Sequence, residues 1–181
     1  LVFGNVKSGE EKSYRLKVKV PEAVVSRQDD ITMEFSSGNG IMPEPFKFNI
    51  ATKSMPQPQF AYSYEIIDDG RFGSSGNGNG AVDAGETLAV SIKAKNIGVG
   101  ASSDDTNINI KNLEGNQVFL LKGREKIGIL APNTEKDAVL NFRVNRSFAQ
   151  KELKLDLYIT DIKLLESRSG HLKLKLGQKT R

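Results

Sequence analysis

Apolar and polar residues alternate along most of this chain. Residues 14–20 set Tyr14, Leu16, Val18 and Val20 against Arg15, Lys17 and Lys19. The same period of two runs through Ile31, Met33 and Phe35, then Phe46, Phe48 and Ile50, then Phe60, Tyr62, Tyr64 and Ile66. It continues in Leu88, Val90, Ile92 and Ala94, and in Ile108 and Ile110. Later it returns in Leu140, Phe142 and Val144, in Leu153, Leu155, Leu157 and Ile159, and in Leu172, Leu174 and Leu176. Side chains of a strand point to opposite faces in turn, so each run predicts a strand with one buried and one solvated face. Breaks such as Ser37-Gly38-Asn39-Gly40, Asn96-Ile97-Gly98, Glu114-Gly115-Asn116 and Pro132-Asn133 read as turns. No window carries a helical stripe. The predicted fold class is all-β, antiparallel sheets packed face to face as a sandwich.

The pattern occurs twice. At an offset of 124 residues, Gly4 falls on Gly128, Glu11 on Glu135 and Lys12 on Lys136. Leu16, Val18 and Val20 then fall on Leu140, Phe142 and Val144, and Ile31, Met33 and Phe35 on Leu155, Leu157 and Ile159. A two-residue slip brings Phe46, Phe48 and Ile50 onto Leu172, Leu174 and Leu176, and Lys53 near Lys179. Chance alternation explains half of these matches; the identities at the turns favour a repeat. Residues 1–54 are therefore expected to be the C-terminal part of one module. Residues 55–59, with Pro56 and Pro58, form a linker, and residues 60–178 a complete module. The chain opens on Leu1 in strand-like sequence and reads as a piece of a longer precursor. Half a sandwich leaves an apolar face to be covered by the full module, by another chain or by an upstream segment. The oligomeric state is left open.

Composition narrows the chemistry. The 181 residues include no Cys, no Trp and one His, which leaves little for thiol, His-zinc or nucleophile–base catalysis. The 26 Lys and Arg exceed the 22 Asp and Glu only slightly, are spread along the chain, and many alternate with apolar residues on outward strand positions. A nucleic-acid site would need clustering with stacking aromatics, so none is expected. The apolar runs are too short for a membrane-spanning helix.

One segment departs from the strand pattern, the Gly- and Asn-rich stretch 68–86. As a dinucleotide fingerprint it fails: Asp83 stands where a third glycine is needed, and a strand follows rather than a helix. As a calcium loop it fits better. With Glu86 at position 12 of an EF-type loop, Asn77 takes position 3, Asn79 position 5, Gly80 the sharp turn at 6, Ala81 the carbonyl position 7 and Asp83 position 9. Ser75 occupies position 1, where Asp is expected, so the set lacks its strongest carboxylate unless Asp68 or Asp69 folds back. The competing reading is a polar loop whose Gly, Asn and Asp residues serve only the turns. Both stand at this point. Other candidates are weaker. His171 lies in a strand, Asp104-Asp105 and Asp156 with Asp161 read as loop and strand-face carboxylates, and Phe60, Tyr62 and Tyr64 read as packing rather than a sugar platform.

The stretch Gly76-Asn77-Gly78-Asn79-Gly80, then Asp83, Gly85-Glu86-Thr87-Leu88, the run ending in Asn96-Ile97-Gly98 and the turn Leu130-Ala131-Pro132-Asn133 resemble the bacterial cell-adhesion-related (CARDB-like) domain. The run from Lys111 to Gly128 looks like modules of large secreted or envelope-bound proteins, some carrying a peptidase elsewhere. Asn79 stands for the family's Asp and Asn133 for its Gly. The resemblance implies an immunoglobulin-like accessory module, extracytoplasmic and non-catalytic. Its expected role is spacing, adhesion or positioning of protein partners or of other domains of its parent chain. The alternative is the accessory region of a secreted or envelope peptidase whose catalytic domain lies outside these residues. A carbohydrate-binding module is a third reading.

Overall fold

The computed structural model describes residues 1–38, 40 and 42–177. Asn39 of the Ser-Gly-Asn-Gly turn, the repeat position Lys179 and residue 178 of the second module lie outside the described residues. The strands are β1 (Arg27–Met33), β2 (Phe46–Thr52), β3 (Phe60–Ile67), β4 (Thr87–Asn96) and β5 (Thr106–Asn112). They continue as β6 (Val118–Lys122), β7 (Arg124–Lys126), β8 (Glu135–Val144), β9 (Glu152–Asp161) and β10 (Glu166–Lys175). Helical structure among the described residues is limited to two three-residue 3₁₀ turns.

Residues from Phe60 onward build an antiparallel sandwich. One sheet has the order β3-β4-β8-β6 and the other β10-β9-β5-β7. Leaving out the three-residue β7, this is the four-on-three arrangement of an immunoglobulin constant-type domain. Alternation supplies the core. Leu88, Val90, Ile92, Leu140 and Phe142 from one sheet meet Ile108, Leu153, Leu155, Leu157, Ile159, Leu172 and Leu174 from the other, almost all without solvent exposure.

β6 and β7 are absent from the alternation reading. Val118 is buried, whereas Phe119, Leu120 and Leu121 are exposed, so the apolar run has no clean period. β6 pairs with β8 through a register shift between Leu120 and Lys122, and β7 pairs with β5. The chain changes sheets at Gly123, where an added Cβ would lie 3.2 Å from Leu120 Cδ1. Such a crossing depends on which edges are free, and local sequence does not encode that.

The first 54 residues behave differently. β1 and β2 form an antiparallel hairpin, but residues 14–20 form no strand, and Tyr14, Leu16, Val18 and Val20 are exposed. A strand requires a neighbour for its N–H and C=O groups, and the hairpin offers residues 14–20 none. Phe46, Phe48 and Ile50 likewise remain on an open face. The ladder nevertheless matches the second module. Adding 124 carries the pair Met33–Phe46 onto Leu157–Gly170, Ile31–Phe48 onto Leu155–Leu172 and Asp29–Ile50 onto Leu153–Leu174. The two-residue slip is therefore not needed; one offset serves both strands.

Asn133 occupies the left-handed region at φ 61 and donates its N–H to Asn96 O at 2.8 Å. Among non-glycine residues Asn is one of the few that accept this conformation. Asn133→Gly is expected to change stability by less than about 0.5 kcal/mol and Asn133→Val to cost about 1–2 kcal/mol, measured by urea unfolding.

Candidate functional site

The Gly- and Asn-rich stretch joins the end of β3 to the start of β4, and the structure folds it back on itself. Asp68, directly after β3, is only 2% exposed. Its Oδ1 accepts the Gly80 N–H at 3.0 Å, while its Oδ2 is buried with no hydrogen-bond partner among the described residues. Asp69 instead pairs with Arg71, whose N–H and guanidinium hold its carboxyl below the usual Asp range. Ser75 forms a β-bridge with Thr87. Of the two preceding carboxylates, it is Asp68, seven residues before Ser75, that folds back into the loop.

Glu86, at the foot of β4, accepts the Asn77 N–H at 2.9 Å on Oε1 and the Asp83 N–H at 3.3 Å on Oε2. Burial pushes its carboxyl up and the N–H donors pull it down. The charges of Asp83 and Asp68 push it up further, and the net direction is upward. Asp83 Oδ2 accepts from the Nδ2 groups of Asn77 and Asn79, each at 2.9 Å. Asn77 Oδ1 takes the Asn79 N–H and Asn79 Oδ1 the Ala81 N–H, two turns of the kind Asn side chains form locally. Gly76 is required by this approach: a Cβ there would sit 2.7 Å from Glu86 Oε1 and 2.9 Å from Asp68 Cβ. Asp68, Asp83 and Glu86 make no ion pair among the described residues.

All five residues predicted for the loop, Asn77, Asn79, Ala81, Asp83 and Glu86, are brought into this knot. As folded, Asp83 is turned toward the two Asn amides. Among the described residues no three His, Cys, Asp or Glu side chains stand as a ready-made ligand set.

The remaining candidates separate. His171 faces Asp156 across β10 and β9, with Nδ1 2.6 Å from Asp156 Oδ1, but its side chain is 77% exposed on an open sheet face. That hydrogen bond, joined by one from Tyr158, holds Asp156 below the usual Asp range. Asp161 lies buried at the end of β9, away from this pair in the strand. Asp104 and Asp105 are ion-paired with Lys163 and Lys126. Phe60 is buried, and Tyr62 and Tyr64 pack partly buried against the core.

Two polar centres were not singled out as sites by sequence reasoning. Asn96 is fully buried and donates to Gly100 O at 2.8 Å and Leu130 O at 2.9 Å. Its Oδ1 accepts from Gln59 N at 3.1 Å and Gly98 N at 2.9 Å. The Asn-x-Gly ending of β4 was its signal. Asp161 is the other, and its neighbours Ser103 and Thr106 are too distant in sequence to announce it. No family model matches this chain, and no curated protein matches it.

Proposed function

We propose that this chain is a non-catalytic spacing and partner-positioning module of a larger bacterial extracytoplasmic protein. The observation that carries this reading is how the chain joins the two ends of the sandwich. It enters beside Asn96: the linker is bonded to the module through Ile97 N to Gln59 O at 2.7 Å, Gly100 N to Gln57 O at 3.0 Å and the Asn96 side chain. It leaves at the opposite end, where Leu176 bridges Val82 and Gly177 N reaches Val82 O at 3.0 Å. A module crossed from end to end, with both passages tied down, sets a fixed distance between whatever precedes and follows it. The shared 124-residue offset of the β1–β2 and β9–β10 ladders supports a tandem arrangement. The resemblance to adhesion-related accessory domains supports an extracytoplasmic setting.

Stiffness at the linker is the testable property. Ser54 N bonds Ser26 Oγ at 2.9 Å, so Met55 alone separates the tied end of the hairpin from the docked linker. A Cβ on Gly100 would lie 2.0 Å from Pro56 O, so Gly100→Ala must push the linker off. With spin labels on cysteines introduced at Lys47 and Lys93, electron–electron resonance is expected to give a narrow distance distribution. Gly100→Ala should broaden it and cost about 1–2 kcal/mol of stability. A parent distribution as broad as that of the variant would refute the spacer.

A further inference from the structure

We propose that Asp68, Asp83 and Glu86, with the side-chain oxygens of Asn77 and Asn79 and the carbonyl of Ala81, form a structural calcium site that fastens the β3–β4 connection. The inference does not depend on the spacer reading.

The buried carboxylate oxygen of Asp68 is its main support. A carboxylate oxygen withdrawn from water and left without a donor is costly, and native proteins keep such groups only with a compensating partner. Among the described residues Asp68 Oδ2 has none, while Oδ1 is bonded into the loop at Gly80. The oxygen therefore belongs to the knot that contains the ligand candidates. The second support is charge. Three carboxylates share this loop without an ion-paired Lys or Arg among the described residues, while the adjacent Asp69 has its arginine. A divalent cation is the partner that answers both facts.

The donor set selects the ion. All the groups are hard oxygens, with no imidazole or thiolate among them, which suits calcium or magnesium rather than a transition metal. They come from a glycine-rich loop able to adjust, and calcium tolerates irregular six- to eight-fold spheres, whereas magnesium demands a near-ideal octahedron. Binding requires Asp83 to give up its two bonds from the Asn77 and Asn79 amides and turn inward. The amide oxygens can keep their N–H donors, since each carbonyl-type oxygen has two lone pairs. Gly76 keeps the approach between Asp68 and Glu86 open. Because Val82 lies between Ala81 and Asp83 and holds Gly177, occupancy also secures the end of the sandwich where the chain leaves.

The test uses the 181-residue chain. Thermal melts and isothermal titration calorimetry are run with calcium chloride up to about 10 mM, with magnesium chloride and with chelator, at matched ionic strength. Calcium is expected to give a binding isotherm and to raise Tm by about 5–10 °C near saturation. Asp68→Asn is expected to weaken calcium binding by about tenfold or more, yet to melt no lower than the parent in chelator, since it removes the uncompensated charge. A residue that merely packs would show the opposite pattern, a lower Tm with the calcium response intact. Asp83→Asn, at a more exposed position, provides the same reading of the calcium response should Asp68→Asn fail to fold. Absence of calcium binding by the parent, an unchanged response in the variants, or equal stabilisation by magnesium would overturn the assignment.

Discussion

Asp161→Ala is expected to lower the unfolding free energy by about 3–5 kcal/mol, measured by urea denaturation near neutral pH. Asp161 has no solvent exposure, and its two oxygens accept five hydrogen bonds. The donors are the N–H and hydroxyl of Ser103, the hydroxyl of Thr106, and the N–H groups of Lys163 and Leu164. The carboxylate thereby ties the β9–β10 turn to the segment that leads into β5. Truncation removes the acceptor and strands several donors away from water, each at a cost of about 1–3 kcal/mol before relaxation. Asp161→Asn keeps one carbonyl oxygen but aims an NH₂ at existing donors, and should cost about 2 kcal/mol.

The pH response separates the carboxylate from mere packing. Burial pushes the Asp161 carboxyl up, but the N–H groups of Leu164 and Ser103 and the Ser103 and Thr106 hydroxyls outweigh it, and the net direction is below 3.8. A carboxyl depressed in the folded state binds protons more weakly there than in the unfolded chain. Its contribution is complete above the unfolded value of about 3.9 and is lost as pH falls through the lower folded value. Stability of the parent chain should therefore decline below pH 3.8, and Asp161→Asn should lack that part of the decline. An equal acid slope in both proteins would show that the Asp161 charge is not what holds the turn.

Asn96→Ala is expected to cost about 2–4 kcal/mol and to release the linker. Asn96 uses both donors and its acceptor, linking the β4 end, the Gly98 and Gly100 turn, the Leu130 carbonyl and Gln59 of the linker. Alanine leaves two carbonyls and two N–H groups without this partner. Asn96→Asp should be nearly as damaging, because a carboxylate cannot donate to the Gly100 and Leu130 carbonyls. Amide exchange at Gln59 and Gly98 should accelerate selectively in both variants. Protection unchanged at Gln59 would mean that the linker is held by its backbone bonds alone.

Much of the architecture is legible because one-faced burial leaves a period of two in the sequence. Leu88, Val90, Ile92, Leu140 and Phe142 announce themselves in this way, and all are fully buried. Residues 14–20 carry the same period and form no strand, since alternation states which face would be buried but not whether a neighbour is present. β6 shows the reverse case, a real strand at a sheet edge that exposes its apolar residues and erases the pattern, and β7, Arg-Glu-Lys, has no apolar residue to carry one. In the loop, the spacing of Asn77, Asn79, Asp83 and Glu86 pointed to oxygen donors on a tight turn. It could not choose between Asp68 and Asp69, which differ only in that one turns into the knot and the other meets Arg71.

The sequence by itself determined that this is a β protein, which side chains of the second module's long strands face inward, where its turns fall and that its one unusual loop is built of oxygen donors. Each of these is a local property, carried by neighbours one to a few residues apart. Tertiary structure alone decided the strand pairings, the five-donor cage around Asp161, the clamp at Asn96 and the burial of an unpartnered Asp68 oxygen. Those depend on residues far apart in the chain meeting in a place without water, where an unmade hydrogen bond carries its full cost.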